Sequence, residues 1–261
     1  MTLLKHELSL GKQMLFIWTA IIAGMFGVCI FIYPEMKEQM NDISGMFSNL
    51  GSFSAAFGMD KISFGEFLGF FSVECGNILG LGGAFFAALC GISSLAKEEK
   101  EQTAEFLLTH PISRNCILLQ KISALLLQIL FLNVIVILVT MISTYIIGET
   151  PDIKTLALLF LAYFILQIET AAVCFGVSAF LNNNSFGIGL GIAALFYFIN
   201  ILANLTEEMS FLKFLTPFSY TEGSDIITEK SIPLSYLSIG LIITVISIMT
   251  AFYQYNKKDI T

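Results

Sequence analysis

Six long apolar runs constrain the fold of this 261-residue chain more than any other feature of its sequence. A helix needs about 20 apolar residues to cross the ~30 Å hydrocarbon core of a bilayer. Because 56% of the residues are hydrophobic and only 13% are charged, a fold in water would leave a large apolar surface exposed. We therefore predict an all-α integral membrane protein with six spans. The runs are Met14–Tyr33, Glu66–Leu95, Cys116–Ile147, Thr155–Leu181, Phe186–Leu205 and Ile232–Tyr253.

The segments outside these runs predict one transmembrane domain over residues 1–261 with three special elements. Residues 1–13 mix leucines with charged residues, which is typical of an amphipathic helix that lies in the membrane interface. Residues 206–231 interleave aromatic and charged residues around Pro217, so we expect a re-entrant pair of short helices that is broken at the proline. The third element is the loop 97–114, between the second and third runs.

Lysine and arginine residues near the ends of the runs indicate the orientation of the chain. Of the 13 basic residues, eight lie on the side of both termini and five on the other side. Since cytoplasmic loops are enriched in basic residues, both termini are predicted to be cytoplasmic and residues 206–231 extracellular. The expected location is the cytoplasmic membrane of a bacterium, in contact with lipid.

Several classes of function are disfavoured by what the sequence lacks. The net charge of -7 and the absence of a Lys/Arg cluster argue against a nucleic-acid partner. The chain has no GxxxxGK[ST] loop for phosphates, no HExxH and no GxSxG. We therefore expect no catalytic residues and no metal or cofactor bound by this chain.

The loop 97–114 carries the most informative pattern. At 100° per residue, three apolar side chains share one helix face and three glutamates share a neighbouring face, and Pro111 ends the helix. The apolar residues are Ala104, Leu107 and Leu108, and the glutamates are Glu98, Glu101 and Glu105. A cytosolic partner with a hydrophobic groove could bind such a helix, although a solvated hairpin would have a similar composition.

The same loop resembles the inner-loop signature of ABC-2 type permeases, in which Glu, Thr, Glu, Leu-Leu, Pro and Arg recur in that order. The usual glycine before the threonine is Gln102 in this chain. The matching residues are Glu98, Thr103, Glu105, Leu107, Leu108, Pro111 and Arg114. The resemblance implies that they couple the chain to an ABC ATPase subunit, which would bind ATP and Mg. It also implies a second permease copy or a paralogue.

A further similarity to that family lies in Leu215–Tyr220, before the last run. The resemblance implies that the segment caps the pathway, with Phe214, Pro217 and Phe218 as an outer gate.

Ionisable residues inside apolar runs are costly unless they are paired or hydrated. Glu66, Glu74, Asn77 and Glu169 are therefore candidates for a pathway or a dimer seam. The alternative is a structural network in which amides such as those of Asn77, Gln128, Asn133 and Gln167 satisfy the carboxylates.

The spacing of the glycines also allows two interpretations, a seam between subunits or packing within one subunit. Two groups of glycines have the small-residue spacing that lets helices approach closely, either at a seam between subunits or within one subunit. They are Gly76, Gly80 and Gly83, and Gly187 and Gly191. We expect a seam between subunits to use the first spans and the fifth.

The leading hypothesis is the permease subunit of an ATP-driven exporter. Few charges and many aromatic and aliphatic residues suit an amphipathic or hydrophobic substrate, such as a peptide toxin, a bacteriocin or an antibiotic. The alternative from another class is an ion-coupled secondary transporter that uses Glu74 and Glu169 as proton sites. An intramembrane enzyme is a third possibility, for which the sequence holds no motif.

Overall fold

The structure is a computed structural model that describes residues 2–47, 65–100, 113–181 and 186–257, without the side chains of residues 2, 38–47, 96–100 and 207. These residues are almost entirely helical and include no strand. The helices are α1 (Thr2–Phe47), α2 (Phe67–Asn77), a π-helical segment (Ile78–Gly82), α3 (Gly83–Lys100), α4 (Arg114–Ile147), α5 (Ile153–Ser178), α6 (Phe186–Leu205), two 3₁₀ helices (Glu207–Leu215 and Pro217–Thr221), α7 (Gly223–Glu229) and α8 (Leu234–Lys257).

The six predicted spans are confirmed within the described part of the chain. Six helices there are long and apolar enough to cross a membrane, and the second is formed by α2, the π-helical segment and α3 together. The spans are Leu3–Lys37, Phe67–Leu95, Arg114–Ile147, Ile153–Ser178, Phe186–Leu205 and Leu234–Lys257.

Helices α1 and α4 run parallel to each other in register. The backbone N–H of Leu4 donates to Gln120 over a separation of 116 residues, and Lys37 binds Glu149 over 112 residues. Near the middle, the rings of Phe16 and Phe131 meet edge to face, with centroids 6.0 Å apart. Because the separation stays nearly constant, α1 follows α4 along its whole length.

This register corrects two predictions about α1. Residues 1–13 were expected to form a separate helix, but α1 begins at Thr2 and continues into the first span without a break. The first span was expected to end at Tyr33, but the helix passes through Pro34 and continues to Phe47. Packing against α4 explains the first difference, since amphipathic composition alone cannot show that a neighbouring helix extends alongside. It does not explain the second, because α4 ends at Ile147, which lies at the level of about Tyr33.

The ends of the bundle are defined by contacts between helix termini. Arg114, at the start of α4, donates to the carbonyl oxygens of Tyr255 and Asn256 at 3.1 and 3.0 Å, near the end of α8. The start of α1 lies beside the same part of α4, so both chain termini approach one end of the bundle. We call this the terminus end and the opposite end, which holds residues 206–231, the far end.

The core lies along α3 and α5. In the second and fourth spans 67% and 61% of the most apolar stretch is buried, against 17% in α6 and in α8, so the first two are central and the last two peripheral. Gly91 permits the contact between α3 and α5, because a Cβ there would collide with the carbonyl oxygen of Ala171. This close approach fixes the two central spans against each other.

Local sequence sets the helix ends around α4 and α5. Ser113 accepts a hydrogen bond from the N–H of Cys116 at the start of α4, and Gly148 ends that helix in a left-handed conformation with φ 76°. Asp152 caps α5 by accepting from the N–H of Lys154. The Thr155 hydroxyl donates to the same carboxylate at 2.7 Å and lowers the pKa of Asp152 below its usual value.

Candidate functional site

A polar cleft lies toward the far end, between the second span, α5, α6 and the short helices that follow α6. Its volume is about 70 Å³. We call it the far-end cleft, and its polar lining includes Ser72, Asn77, Tyr163, Tyr197, Asn200, Asn204, Glu222 and Ser224. It brings together side chains from elements that are distant in sequence.

Hydrogen bonds connect opposite walls of the far-end cleft. The Tyr197 hydroxyl donates to Asn77 Oδ1 at 3.3 Å, which joins α6 to α2. Asn204 of α6 donates to Glu222, and Lys213 lies 3.6 Å from the same carboxylate. Glu222 thus links α6 to the segment that leads into α7.

One wall of the far-end cleft contains the π-helical segment Ile78–Gly82. A π-helical turn holds one more residue than an α-helical turn and occurs often at functional sites. Gly80 lies within it, and a Cβ there would be 3.6 Å from the Tyr163 ring and 3.7 Å from the Phe218 ring. The segment therefore brings the backbone of the second span close to two aromatic rings.

The second 3₁₀ helix contacts residues well inside the bundle. Tyr220 donates to Glu169 at 2.8 Å, and Glu169 lies about 24 Å along α5 from Ile153 at 1.5 Å per residue. The Thr216 hydroxyl, just before this helix, donates to the carbonyl oxygen of Phe196 within α6 at 2.8 Å. The segment after α6 thus extends back between the spans.

Glu169 is buried at the meeting point of three elements. Its side chain accepts from Tyr220, and a Cβ at Gly240 of α8 would collide with its Oε2. Its partner is therefore a tyrosine, whereas the sequence suggested an amide. Gln167 instead accepts from Asn133 at 2.6 Å, and Gln128 accepts from the thiol of Cys90 at 3.3 Å.

The other three residues of the predicted pathway or seam lie apart from Glu169. Glu66, Glu74 and Asn77 are exposed along the second span, and Asn77 also lines the far-end cleft. The structure therefore does not bring the four residues into one site. Their role as a pathway or seam stays a prediction.

The predicted gate residues occupy different surroundings. Phe218 is buried and packs against Tyr197 with ring centroids 5.4 Å apart, and Pro217 beside it is also buried. Phe214 is exposed and lies against Tyr236 of α8, with centroids 5.0 Å apart. Phe218 thus lines the far-end cleft while Phe214 contacts the last span.

Of the predicted coupling residues, Arg114 is the one whose side chain the structure describes. It binds carbonyl oxygens at the end of α8, where a cation is favoured by the helix dipole. Asn256 strengthens the junction by donating to Asn115 at 2.8 Å. The side chain of Glu98 and all of Thr103, Glu105, Leu107, Leu108 and Pro111 lie outside the described residues.

The two glycine groups differ in their surroundings. A Cβ at Gly76 would collide with Tyr163 and one at Gly83 with Gln167, both of α5, so this group packs within the subunit. A Cβ at Gly187 or Gly191 would meet nothing within 4 Å.

Sequence analysis named Asn77 as a candidate but missed the other polar residues that form the far-end cleft. Asn200 and Asn204 are four residues apart in an apolar span and so share a helix face, which is a signal that could have been used. Glu222 and Ser224 carry no such signal, because their positions depend on how the short helices fold back. Within the described residues, no group of three His, Cys, Asp or Glu side chains is placed to hold a metal ion.

The spans and the cleft between them define a multi-pass membrane protein. The chain belongs to the ABC-2 family of transporter proteins, since the family model described as "ABC-2 family transporter protein" matches residues 1–260. The resemblance seen in the loop sequence is thereby confirmed. The family comprises transmembrane components of ABC transporters, which implies a partner ATPase. No curated protein matches the chain.

Proposed function

We propose that this chain is the permease subunit of an ABC exporter in a bacterial cytoplasmic membrane. Its substrate is amphipathic or hydrophobic, and the terminus end faces the cytoplasm. A separate subunit binds ATP with Mg and hydrolyses it, and the chain itself performs no chemistry. The proposal rests on the family match over residues 1–260 and on one feature of the terminus end.

That feature is the set of bonds around the two helix ends that flank the predicted coupling loop. Lys121 of α4 donates to the carbonyl oxygen of Ser94 in α3 at 2.8 Å and binds Glu7 of α1 at 2.8 Å. Arg114 ties the start of α4 to α8. Force applied to the loop would therefore reach α1, α3, α4 and α8 together, which suits a loop that transmits motion from an ATPase.

The far end supplies the exit in this proposal. The two 3₁₀ helices and α7 act as a re-entrant cap, a role supported by the contacts of Tyr220 with Glu169 and of Thr216 with Phe196. Non-helical backbone is tolerated at membrane depth where protein surrounds it. Phe218 and Pro217 form the inner part of this gate and Phe214 its outer part.

A second permease copy completes the pathway. Gly187 and Gly191 leave open space on α6, where another helix could approach closely. Glu74 is exposed on an apolar span and needs a polar or hydrated neighbour, which a second copy or a water-filled pathway would supply. The ion-coupled alternative has less support, because Glu169 is bound to Tyr220 and lies apart from Glu74.

The test is assembly with a co-expressed ABC ATPase subunit. Replacing Leu107 and Leu108 together with Asp would place charge in the expected hydrophobic groove, where an unpaired buried charge costs several kcal/mol. The ATPase should no longer co-purify, and substrate-stimulated ATP hydrolysis should be lost. The matched control replaces both leucines with Met and should keep both properties. Full assembly and hydrolysis in the Asp variant, with normal membrane insertion, would contradict the proposal.

A further inference from the structure

One face of α1 packs against the second span, and the two run antiparallel. Aromatic rings mark the register, because contacts that move toward the terminus end along α1 move away from the far end along the second span. The ring pairs, in order from the far end, are Tyr33–Phe70, Phe26–Phe71 and Trp18–Phe86, with centroids 5.2, 5.9 and 6.5 Å apart.

Two cysteines lie opposite each other on this face. Cys29 is one helical turn from both Phe26 and Tyr33 on α1. Cys75 is one turn from Phe71 on α2, so the register of the rings aligns the two thiols. Cys75 is fully buried, and Cys29 is half-buried against the same apolar cluster. Their side chains are direct neighbours that interact, and both thiols are free in this structure.

The remaining cysteines have other neighbours. The Cys90 thiol donates to Gln128 at 3.3 Å, and Cys116 accepts from Gln120 at the terminus end. Cys174 faces Gly91, where a Cβ would lie 3.0 Å from that of the cysteine. Among the five cysteines, all of which the structure describes, the fold thus brings together one pair of thiols.

The cysteine pair lies within the apolar part of both spans. Cys29 is eight residues before Lys37, and Cys75 is eight residues after Phe67. At 1.5 Å per residue, each thiol is therefore about 12 Å from the far-end limit of its span. A charged oxidant is disfavoured at this depth by the cost of leaving water, whereas a small uncharged peroxide can enter.

We propose that Cys29 and Cys75 form a redox-active dithiol, which a peroxide oxidises to a disulfide between the first span and the second. The half-buried Cys29 sulfur attacks a peroxide oxygen, which breaks the O–O bond, releases water with the thiol proton and leaves a sulfenic acid on Cys29. The Cys75 sulfur then displaces the sulfenic oxygen, which leaves as a second water with the proton of the Cys75 thiol. The two thiols lose two electrons and two protons, and hydrogen peroxide is reduced to two waters.

The disulfide would join two pairs of closely packed helices. Helix α1 packs along α4, and the second span packs on α5 through Gly91. Lys121 bridges these pairs at the terminus end, and the disulfide would bridge them toward the far end as well. Under the proposed function, on which this step rests, oxidation stops transport because α1 can no longer move against the second span.

The experiment treats the purified chain in lipid nanodiscs with hydrogen peroxide and identifies disulfide-linked peptides by mass spectrometry. The peptides of Cys29 and Cys75 should be recovered linked to each other within a single chain, and dithiothreitol should separate them. Cys116 is exposed and reports whether the peroxide has reacted, because dimedone traps its sulfenic acid. Oxidised Cys116 without the Cys29–Cys75 link, or Cys29 linked to a second chain, would overturn the proposal.

Variants locate the link. Cys29→Ala should lose it, and the matched control Cys116→Ala should keep it. Cys29 is the better position to change, because its side chain is only half-buried and its replacement should disturb packing less than that of Cys75. Peroxide should also raise the thermal unfolding midpoint of the unmodified chain but not of Cys29→Ala, since a link between residues 46 positions apart restricts the unfolded chain. Cys75 linked to another cysteine with equal yield in Cys29→Ala would show the proposed pair to be wrong.

The consequence for transport is tested on the chain assembled with a co-expressed ABC ATPase subunit. Peroxide should abolish substrate-stimulated ATP hydrolysis, dithiothreitol should restore it, and the Cys29→Ala assembly should be insensitive to both. An equal loss in Cys29→Ala, or a linked chain with unchanged hydrolysis, would contradict the inhibition and keep the dithiol. A chain that forms the link but never assembles with an ATPase keeps the dithiol and contradicts the permease assignment.

Discussion

Lys121 of α4 and Glu7 of α1 form an ion pair with 2.8 Å between Nζ and Oε1, in which the lysine side chain is 2% exposed and the glutamate side chain 18%. The same ammonium donates to the carbonyl oxygen of Ser94. A charge this deeply buried is tolerated because its partners replace the water it has lost. The pair joins the first helix to the two helices that flank the predicted coupling loop.

Lys121→Met should therefore destabilise the protein by up to about 3 kcal/mol, since it leaves Glu7 partly buried without its cation. Unfolding of the purified chain by added denaturant measures the loss. Lys37→Met is the control, because the Lys37–Glu149 pair is much more exposed and should contribute far less. The double variant Glu7→Gln/Lys121→Met should recover part of the stability. Equal losses for Lys121→Met and Lys37→Met would contradict the structural role.

Gly240→Ala should destabilise the bundle by about 1 kcal/mol, because the added Cβ would displace the Glu169 carboxylate from its hydrogen bond with Tyr220. Thermal unfolding of the purified chain measures the change. Gly187→Ala is the matched control and should be neutral or slightly stabilising, since its Cβ would meet open space and alanine favours helix. Adding Glu169→Ala to Gly240→Ala should make the losses non-additive. Strictly additive losses would show that the two positions do not touch.

Glu74→Gln should impair transport more than expression if Glu74 lines a pathway, because the shape is kept while the charge is lost. Glu74→Leu tests the alternative that Glu74 belongs to a structural network of polar side chains. This variant removes both the charge and the hydrogen bonding at an exposed position on the second span. Substrate export and the amount of protein in the membrane are measured together. Normal export and expression in both variants would remove Glu74 from the mechanism.

Cysteine introduced at Ser231 and at Asn183 should be labelled from opposite sides of the membrane. Five spans precede Ser231, while Asn183 lies between the fourth and fifth, so an odd number of crossings separates them. Labelling of intact cells with a reagent that does not cross the membrane should reach Ser231→Cys alone. Permeabilised cells provide the control, in which both positions react. Labelling of both from outside would reject the proposed orientation.

The sequence by itself determined the six spans, because the apolar length that a bilayer requires is a property of each segment alone. It also determined the family, through the order of residues in the loop 97–114. Helix ends such as Ser113 and Gly148 are set by local hydrogen bonds and backbone conformation, so they follow from nearby residues too.

Only the tertiary structure decided which polar residues meet. Glu169 and Tyr220 are 51 residues apart, and Lys121 and Glu7 are 114 apart, so no periodicity within one helix predicts either contact. The unbroken α1 likewise depends on its packing along α4. Side-chain partners in a bundle are set by which helix faces oppose each other, and an apolar span shows little preference among its faces because lipid and protein interior are both apolar.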